Sequence, residues 1–476
     1  MNKERYGAIQ WLDDSYYRLP TELLRWLNRD SFSFLVKGEP GTGKTTLALT
    51  LIRALGIKQN FLYVSTKSSL AEIFRDHFWL VDFLALPKEQ MSIDRNRLYA
   101  QHGVFVDGRL DEQSTLFETV TDELMNQRSP LIVIDSWDSI GGMADPEASL
   151  ANAKVLQNWR ERASAKLILV SASNEAKMLD SVVNGIAVLR QEYSSGRRVR
   201  EIMFSKLPGI EPLRPSYYFS LNGGIFKSFD PYSLSDFAIA LERQPFIPSF
   251  DVSTPRRPNH VTTCYPELDR ALGGGLRFRS VALVELGKTV NSRVVITLFR
   301  RMLNQVVESG DLLLLSPLAG LSADQTGTLL SLFQRKTAKE SVQVFWPSSC
   351  ETSGITKATE RLDRLRDLCL DLRDRFPGKA LVALLDLDFL VKDQGRKDQL
   401  NMQLLEFVLH QIDLAILISR KGYPSEAIAL AAETKIEIVN MSGTLFLDCE
   451  VPHSQFFAIS SGRHFGRNTV ELEEMI

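Results

Sequence analysis

Cysteine is scarce and scattered. Cys264, Cys350, Cys369 and Cys449 show no Cys-x-x-Cys spacing, which speaks against a zinc site or a disulfide frame and for isolated thiols in a reducing compartment. No uncharged stretch approaches the roughly 20 residues of a membrane span, and Met1 is followed by Asn2, Lys3, Glu4 and Arg5 rather than by the apolar core of a signal peptide. The expectation is a cytoplasmic chain with no membrane contact. An excess of either charge is missing too. With a formal net charge of −2, nothing draws the chain as a whole to nucleic acid, so only a local basic patch could do so. Low-complexity tracts are absent, and 44% hydrophobic residues over 476 positions predict a body folded throughout as two domains.

What the chain does have is a complete phosphate loop. Positions 38–46 read GEPGTGKTT, and the apolar run Phe32, Phe34, Leu35, Val36 leads into it like a buried strand. Gly38, Gly41 and Gly43 let the backbone curl so that its amides, with those of Glu39, Pro40's neighbours, Thr42 and Thr46, can surround phosphate oxygens. Lys44 would reach the β- and γ-phosphates, and the Thr45 hydroxyl would bind Mg²⁺. Helical spacing resumes at Thr46, Leu47, Leu49, Leu51 and Ile52, which places the anion at a helix N-terminus. The nucleotide-binding set is therefore Gly38, Glu39, Pro40, Gly41, Thr42, Gly43, Lys44, Thr45 and Thr46.

A second short strand is predicted at 60–65 and a third within 129–138 (SPLIVIDSWD), which delivers Asp135 at its end as the second metal-orienting group beside Thr45. Aspartate also commonly ends strands as a turn or cap residue, and the pairing with Lys44 favours the metal role. A fourth strand at 166–170 ends in the polar tip Ser171, Ala172, Ser173, Asn174, suited to sensing a γ-phosphate. Strands alternating with helical patterns imply a parallel sheet with its ligand at the C-terminal strand edge. Beyond 182 the pattern turns strand-like at 186–189, 199–204 and 217–221, as an antiparallel extension would.

The loop, the IVIDS strand and the late RRVREIMFSKLPGI region together resemble the KaiC/GvpD type of RecA-superfamily P-loop ATPases over roughly 19–230. Within that group, YRLPTELLRWL, LVKGEPGTGKTTLAL and FLYVST are most similar to the archaeal gas-vesicle regulators of the GvpD kind. The resemblance implies ATP and Mg²⁺ as ligands, with Lys44 and Asp135 in the catalytic positions. It also exposes departures. KaiC-like enzymes carry acidic residues after the second strand to polarise the attacking water, where this chain has Ser65, Thr66 and Lys67. They also use a Lys-x-Arg pair that reaches into a neighbour's site, and here Lys206 is followed by Pro208 in the arginine position. Glu72, Asp107 and Glu175 are the candidate substitutes for the base.

Prolines 231, 245, 248, 255 and 258 mark a linker. The domain plan is a helical lead-in at 1–30, a RecA/KaiC-like ATP-binding domain at 31–230, the Pro-rich linker at 231–259 and a degenerate RecA/KaiC-like domain at 260–476. In the latter, strands are predicted at 281–285, 312–315, 380–385 and 414–418, with a hairpin at 435–439 and 444–447. LGKTVNSR at 286–293 falls where the phosphate loop belongs, but Ser292 occupies the lysine position and one glycine cannot aim a ring of amides. Asp386 then reads as a strand-end residue rather than a metal ligand. RLDRLRDLCLDLRDRF at 361–376 reads as an amphipathic helix with ion pairs one turn apart, while Arg197, Arg198 and Arg200 form a less balanced basic group, read first as decoration of an exposed hairpin.

The fold class that follows is α/β, with tandem RecA-like P-loop domains, each a mostly parallel sheet with helices on both faces and a late antiparallel extension. The functional expectation is an ATP-binding regulatory switch with slow or absent hydrolysis, at most a weak ATPase, acting on a protein partner such as a transcription activator. A DNA repair or recombination ATPase is the alternative, and a self-phosphorylating transferase ranks third. Nucleic acid is the less favoured partner, and the sequence leaves oligomers open.

Overall fold

The computed structural model of the chain describes residues 18–55, 61–86, 97–100, 103–109, 115, 118, 120, 131–138, 146–172, 177–194, 196–231, 259–318, 342–344, 358–391, 397–422, 426–464 and 467–476. Two compact units divide it: Met1–Asp230 with Met475–Ile476, and Pro231–Glu474. The expected linker at 231–259 lies almost wholly outside the described residues.

In the first unit, apolar runs set the strands: Phe32–Gly38 (β1), Phe61–Ser65 (β2), Arg97–Ala100 (β3), Gly103–Asp107 (β4), Leu131–Asp135 (β5), Lys166–Ser171 (β6), Gly185–Ser194 (β7), Arg197–Lys206 (β8), Ser216–Ser220 (β9) and Lys227–Ser228 (β10). They form one sheet in the order β10-β9-β8-β7-β1-β6-β5-β2-β4-β3. β1 is parallel to β6 and β7, and β2 to β4 and β5, while β7 through β10 pair antiparallel. β1 and β5 are buried at every position because both faces of the sheet are covered. Phe34 and Val36 face one core, shared with helix Lys44–Ala54, whereas Leu35 faces another, shared with helix Pro146–Ala163. The lead-in contributes helix Thr21–Leu27, whose Trp26 is fully buried, 5.1 Å from Phe32 and 5.4 Å from Phe34 between ring centres. A buried tryptophan of this kind is worth roughly 3–5 kcal/mol.

The second unit begins with a two-stranded ladder, His260–Val261 (β11) and Leu276–Arg277 (β12). Its main sheet holds Ser280–Leu286 (β13), Leu312–Leu315 (β14), Val342–Val344 (β15), Leu381–Asp386 (β16), Leu414–Arg420 (β17), Thr434–Met441 (β18), Thr444–Val451 (β19), Gln455–His464 (β20) and Arg467–Glu474 (β21). Their order is β15-β14-β16-β17-β13-β18-β19-β20-β21. Exchanging β13 for β1, β14 for β2, β16 for β5, β17 for β6 and β18 for β7 turns one sheet's core into the other's, with the same parallel pairings and the same antiparallel continuation. The fold is mixed α/β with two mostly parallel sheets, as tandem RecA-like P-loop domains require.

Strands β3, β4, β10, β11, β12, β15, β20 and β21 are additions to the elements expected from sequence. The arginine-rich segment is the helix Ala358–Arg375, with Leu365, Cys369 and Leu372 buried and Arg375 paired to Asp371 one turn away at 2.8 Å. No described helix is long and apolar enough to cross a membrane.

Candidate functional site

β1 ends at Gly38, and the helix Lys44–Ala54 starts six residues later, at the C-terminal edge of the parallel strands. The turn between them is closed by Thr42, whose amide and hydroxyl both donate to the Glu39 carbonyl, at 3.3 and 2.8 Å. Two glycines are irreplaceable on geometric grounds. Gly43 is the helix N-cap at φ 97°, a conformation that side chains resist. A Cβ on Gly38 would lie 2.7 Å from the Leu189 carbonyl oxygen of β7. The cap brings no side-chain acceptor, so the first-turn amides of an 11-residue helix are left for a ligand.

Lys44 bends back over the loop and donates to the Gly38 and Glu39 carbonyls, at 2.6 and 2.8 Å. Burial pulls its ammonium below the ordinary value, against the attraction of Asp135. The Thr45 hydroxyl donates to Asp135 Oδ2 at 2.6 Å, so the loop and the end of β5 meet as expected. Burial raises the Asp135 carboxyl above the usual range, and the bonds from Thr45 and Tyr63 with the charges of Lys44 and Lys67 hold it down. The Thr45 hydroxyl and the Asp135 carboxylate are hard oxygen donors of the kind Mg²⁺ takes when phosphates and water complete its shell.

Three participants were not legible from sequence. Tyr63 of β2, fully buried, donates to the same Asp135 oxygen at 2.8 Å. His77 Nε2 lies 3.1 Å from the Thr46 hydroxyl and its Nδ1 3.0 Å from the Ile73 carbonyl. Asp138 accepts from the Ser171 hydroxyl, from the Ala172 amide at 2.6 Å and from Ser136 at 3.2 Å, and pairs with Lys67 at 3.5 Å. A tyrosine inside the apolar run at the start of the FLYVS strand was the one available signal. Of the polar tip expected after β6, Ser173 and Asn174 lie outside the described residues.

The two described candidates for the general base are engaged elsewhere. Glu72 is locked in a capping box with Ser69, whose bonds hold its carboxyl below the usual range. Asp107 receives Arg109 in a two-pronged pair with both bonds at 2.8 Å. Glu175 lies outside the described residues. After β2, Thr66 is pinned to the end of β5: its amide donates to the Asp135 carbonyl at 2.7 Å, its hydroxyl to that of Ser136 at 2.8 Å. Lys206 does not reach outward but donates to the Asp180 and Val183 carbonyls, at 3.1 and 2.7 Å, where the helix Lys177–Val182 ends.

The basic group on β8 is not uniformly exposed decoration. Arg198 is exposed, but Arg200, one step further along the same face and paired with Phe219 of β9, is only 6% exposed. Its buried Nε has no partner among the described residues, and burial lowers its pKa.

In the second unit the register places Ser292 opposite Lys44 and Asp386 opposite Asp135. The loop before helix Arg293–Glu308 is closed from within. Val290 is 2% exposed and belongs to the core, and Arg420 at the end of β17 donates to the Val290 and Gly287 carbonyls, at 2.5 and 3.2 Å. Lys288 and Thr289 point to solvent. Asp386 accepts from the Asp388 and Phe389 amides, capping a short helix as a strand-end aspartate does.

Residues 29–179 match the AAA domain family, which makes this segment a P-loop NTPase domain of the nucleotide-binding kind. The protein GvpD1 of Halobacterium salinarum is 23% identical over 294 residues, covering 56% of this chain and 50% of that protein. GvpD2 of the same organism is 24% identical over 278 residues, covering 56% and 55%. The chain thus spans about half the length of the curated relatives it matches, and the expected likeness to GvpD-type P-loop proteins is present.

Proposed function

We propose that this chain, with a P-loop NTPase domain similar to the halobacterial GvpD proteins, is a cytoplasmic ATP-binding switch that uses Mg·ATP as a ligand more than as a fuel. Gly38 to Thr46 would hold the phosphates, Lys44 would neutralise the outer ones, and Thr45 with Asp135 would hold Mg²⁺. The metal would neutralise charge between the outer phosphates. The protein's own part is to bind, orient and wait.

The observation that carries the reading is the state of the carboxylates. The two described acids expected as candidate bases already have partners, Glu72 its cap and Asp107 its arginine, and beside the loop Asp138 is held by its serine and amide and Asp135 by its threonine and tyrosine. A site that holds the triphosphate without a poised base leaves differential affinity of two conformations as the output. The closed loop of the second unit supports a single nucleotide site per chain. A protein partner, with a transcription activator the one the resemblance suggests, would read the ATP-bound state.

The test is Mg·ATP binding and turnover by wild type and Lys44→Ala, with and without single-stranded DNA. Tight binding that the substitution abolishes, with negligible turnover under both conditions, is the expected result. DNA-stimulated turnover would replace this reading with a recombination ATPase, and absence of binding by the wild type would end both.

A further inference from the structure

We propose that Lys67 reads the γ-phosphate, supplying in cis a second cation that makes the site prefer a nucleoside triphosphate to a diphosphate. The proposal rests on the ATP-binding reading above and adds a specificity residue to it.

The backbone beside Lys67 is fixed. Thr66 is joined to the end of β5 by its amide and by a hydroxyl that both donates to the Ser136 carbonyl and accepts from the Ser136 amide, each of these two bonds at 2.8 Å. Ser65 closes the turn on the other side by donating to the Ser68 carbonyl at 2.6 Å. The side chain therefore starts from a rigid point next to the metal-orienting aspartate. Its ammonium stands 3.5 Å from Asp138, but that carboxylate is already supplied by Ser171, Ala172 and Ser136, and Lys67 is 53% exposed. With its lysine half exposed and the two groups 3.5 Å apart, this pair is loose enough for a phosphate oxygen to take the ammonium over.

Charge and position agree on what would do so. Lys67 follows Thr66, whose amide donates to the Asp135 carbonyl at 2.7 Å, and Lys44 precedes Thr45, whose hydroxyl donates to the Asp135 carboxylate at 2.6 Å. Two ammonium groups around one strand end favour an incoming anion. In P-loop geometry the lysine and the metal both engage the outer phosphates, so the γ-phosphate lies on the Asp135 side of the loop, where Lys67 stands. A diphosphate has no oxygens there. An ammonium at this place can bind a terminal phosphate and cannot take a proton from water.

Calorimetric titration of the full chain with Mg·ATP, slowly hydrolysed Mg·ATPγS and Mg·ADP tests this. Lys67→Gln should weaken both triphosphates by about tenfold or more, the size of one charge-assisted contact, and leave Mg·ADP within about twofold. Lys67→Arg should restore most of the difference. A purely structural role in holding Asp138 would move all three ligands together, and that outcome, or no change in any, overturns the proposal. Lys44→Ala separates the levels. If it abolishes binding while Lys67→Gln leaves the triphosphate-to-diphosphate ratio intact, the inference alone fails; if it binds as wild type does, the ATP-binding reading fails and takes the inference with it.

Discussion

Tyr63→Phe removes one oxygen atom and tests the electrostatics of the site directly. The phenol donates to Asp135 Oδ2 at 2.8 Å from a fully buried position, and phenylalanine fills the same volume without opening a cavity. Losing a hydrogen bond to an ionised acceptor costs about 1.5–3 kcal/mol, a sizeable part of the roughly 5–15 kcal/mol that a domain has in total. The sign with pH follows from Asp135. Burial sets its folded pKa above the ordinary value, so its contribution to stability is complete below that ordinary value and declines as pH rises through the folded one. Without the phenol the folded pKa climbs further, and the deficit of the variant is therefore largest above that folded pKa. In acid, where Asp135 is protonated in both states, the deficit falls to that of a neutral hydrogen bond, about 0.5–1.5 kcal/mol. Urea unfolding followed by tryptophan fluorescence is the assay, since Trp11, Trp26, Trp79, Trp137 and Trp159 all belong to the first unit. Equal stability at neutral pH, or a deficit that grows on acidification, would refute the reasoning.

His77→Phe should leave the Thr46 hydroxyl unpaired and lower stability by about 1 kcal/mol near neutral pH. Burial depresses the His77 pKa, so the neutral ring's contribution is complete above the ordinary histidine value and is lost as pH falls through the folded one. The variant should accordingly show a shallower acid-side decline in unfolding midpoint, and an unchanged slope would contradict the assignment. Arg420→Ala should release the Gly287 and Val290 carbonyls and speed hydrogen exchange across 287–293, with a cost of about 1–2 kcal/mol to the second unit. Unaltered exchange there would mean that Val290 alone keeps the loop closed.

The phosphate loop was legible because its chemistry fixes residue type and spacing within nine consecutive positions, and Asp135 because it follows an apolar strand. The repeated element order was legible for the same reason: continuous apolar runs mark strands covered on both faces. What escaped had its cause in distance along the chain. Tyr63 meets Asp135 across 72 residues and His77 meets Thr46 across 31, and neither pairing leaves a local pattern. Arg200 escaped for a different reason. Period-two alternation tells which face of β8 a residue occupies but not how deep along the strand it lies, so Arg198 at the hairpin end is wet while Arg200, one step in beside Phe219, is dry. Strands β3, β4 and β15 are short pairings at or next to a sheet edge, where sequence patterning is weakest.

The two aspartates in matching register answer to different substitution rules. Asp386 accepts from two backbone amides, a capping task open to asparagine, serine and threonine as well. Asp135, in the proposed function, would have to carry charge to match Lys44, the Thr45 hydroxyl and a phosphate-bound cation. Among relatives, then, position 386 should drift through the whole set of small polar residues while 135 stays acidic, so the same structural place would be read as tolerant in one half of the chain and intolerant in the other.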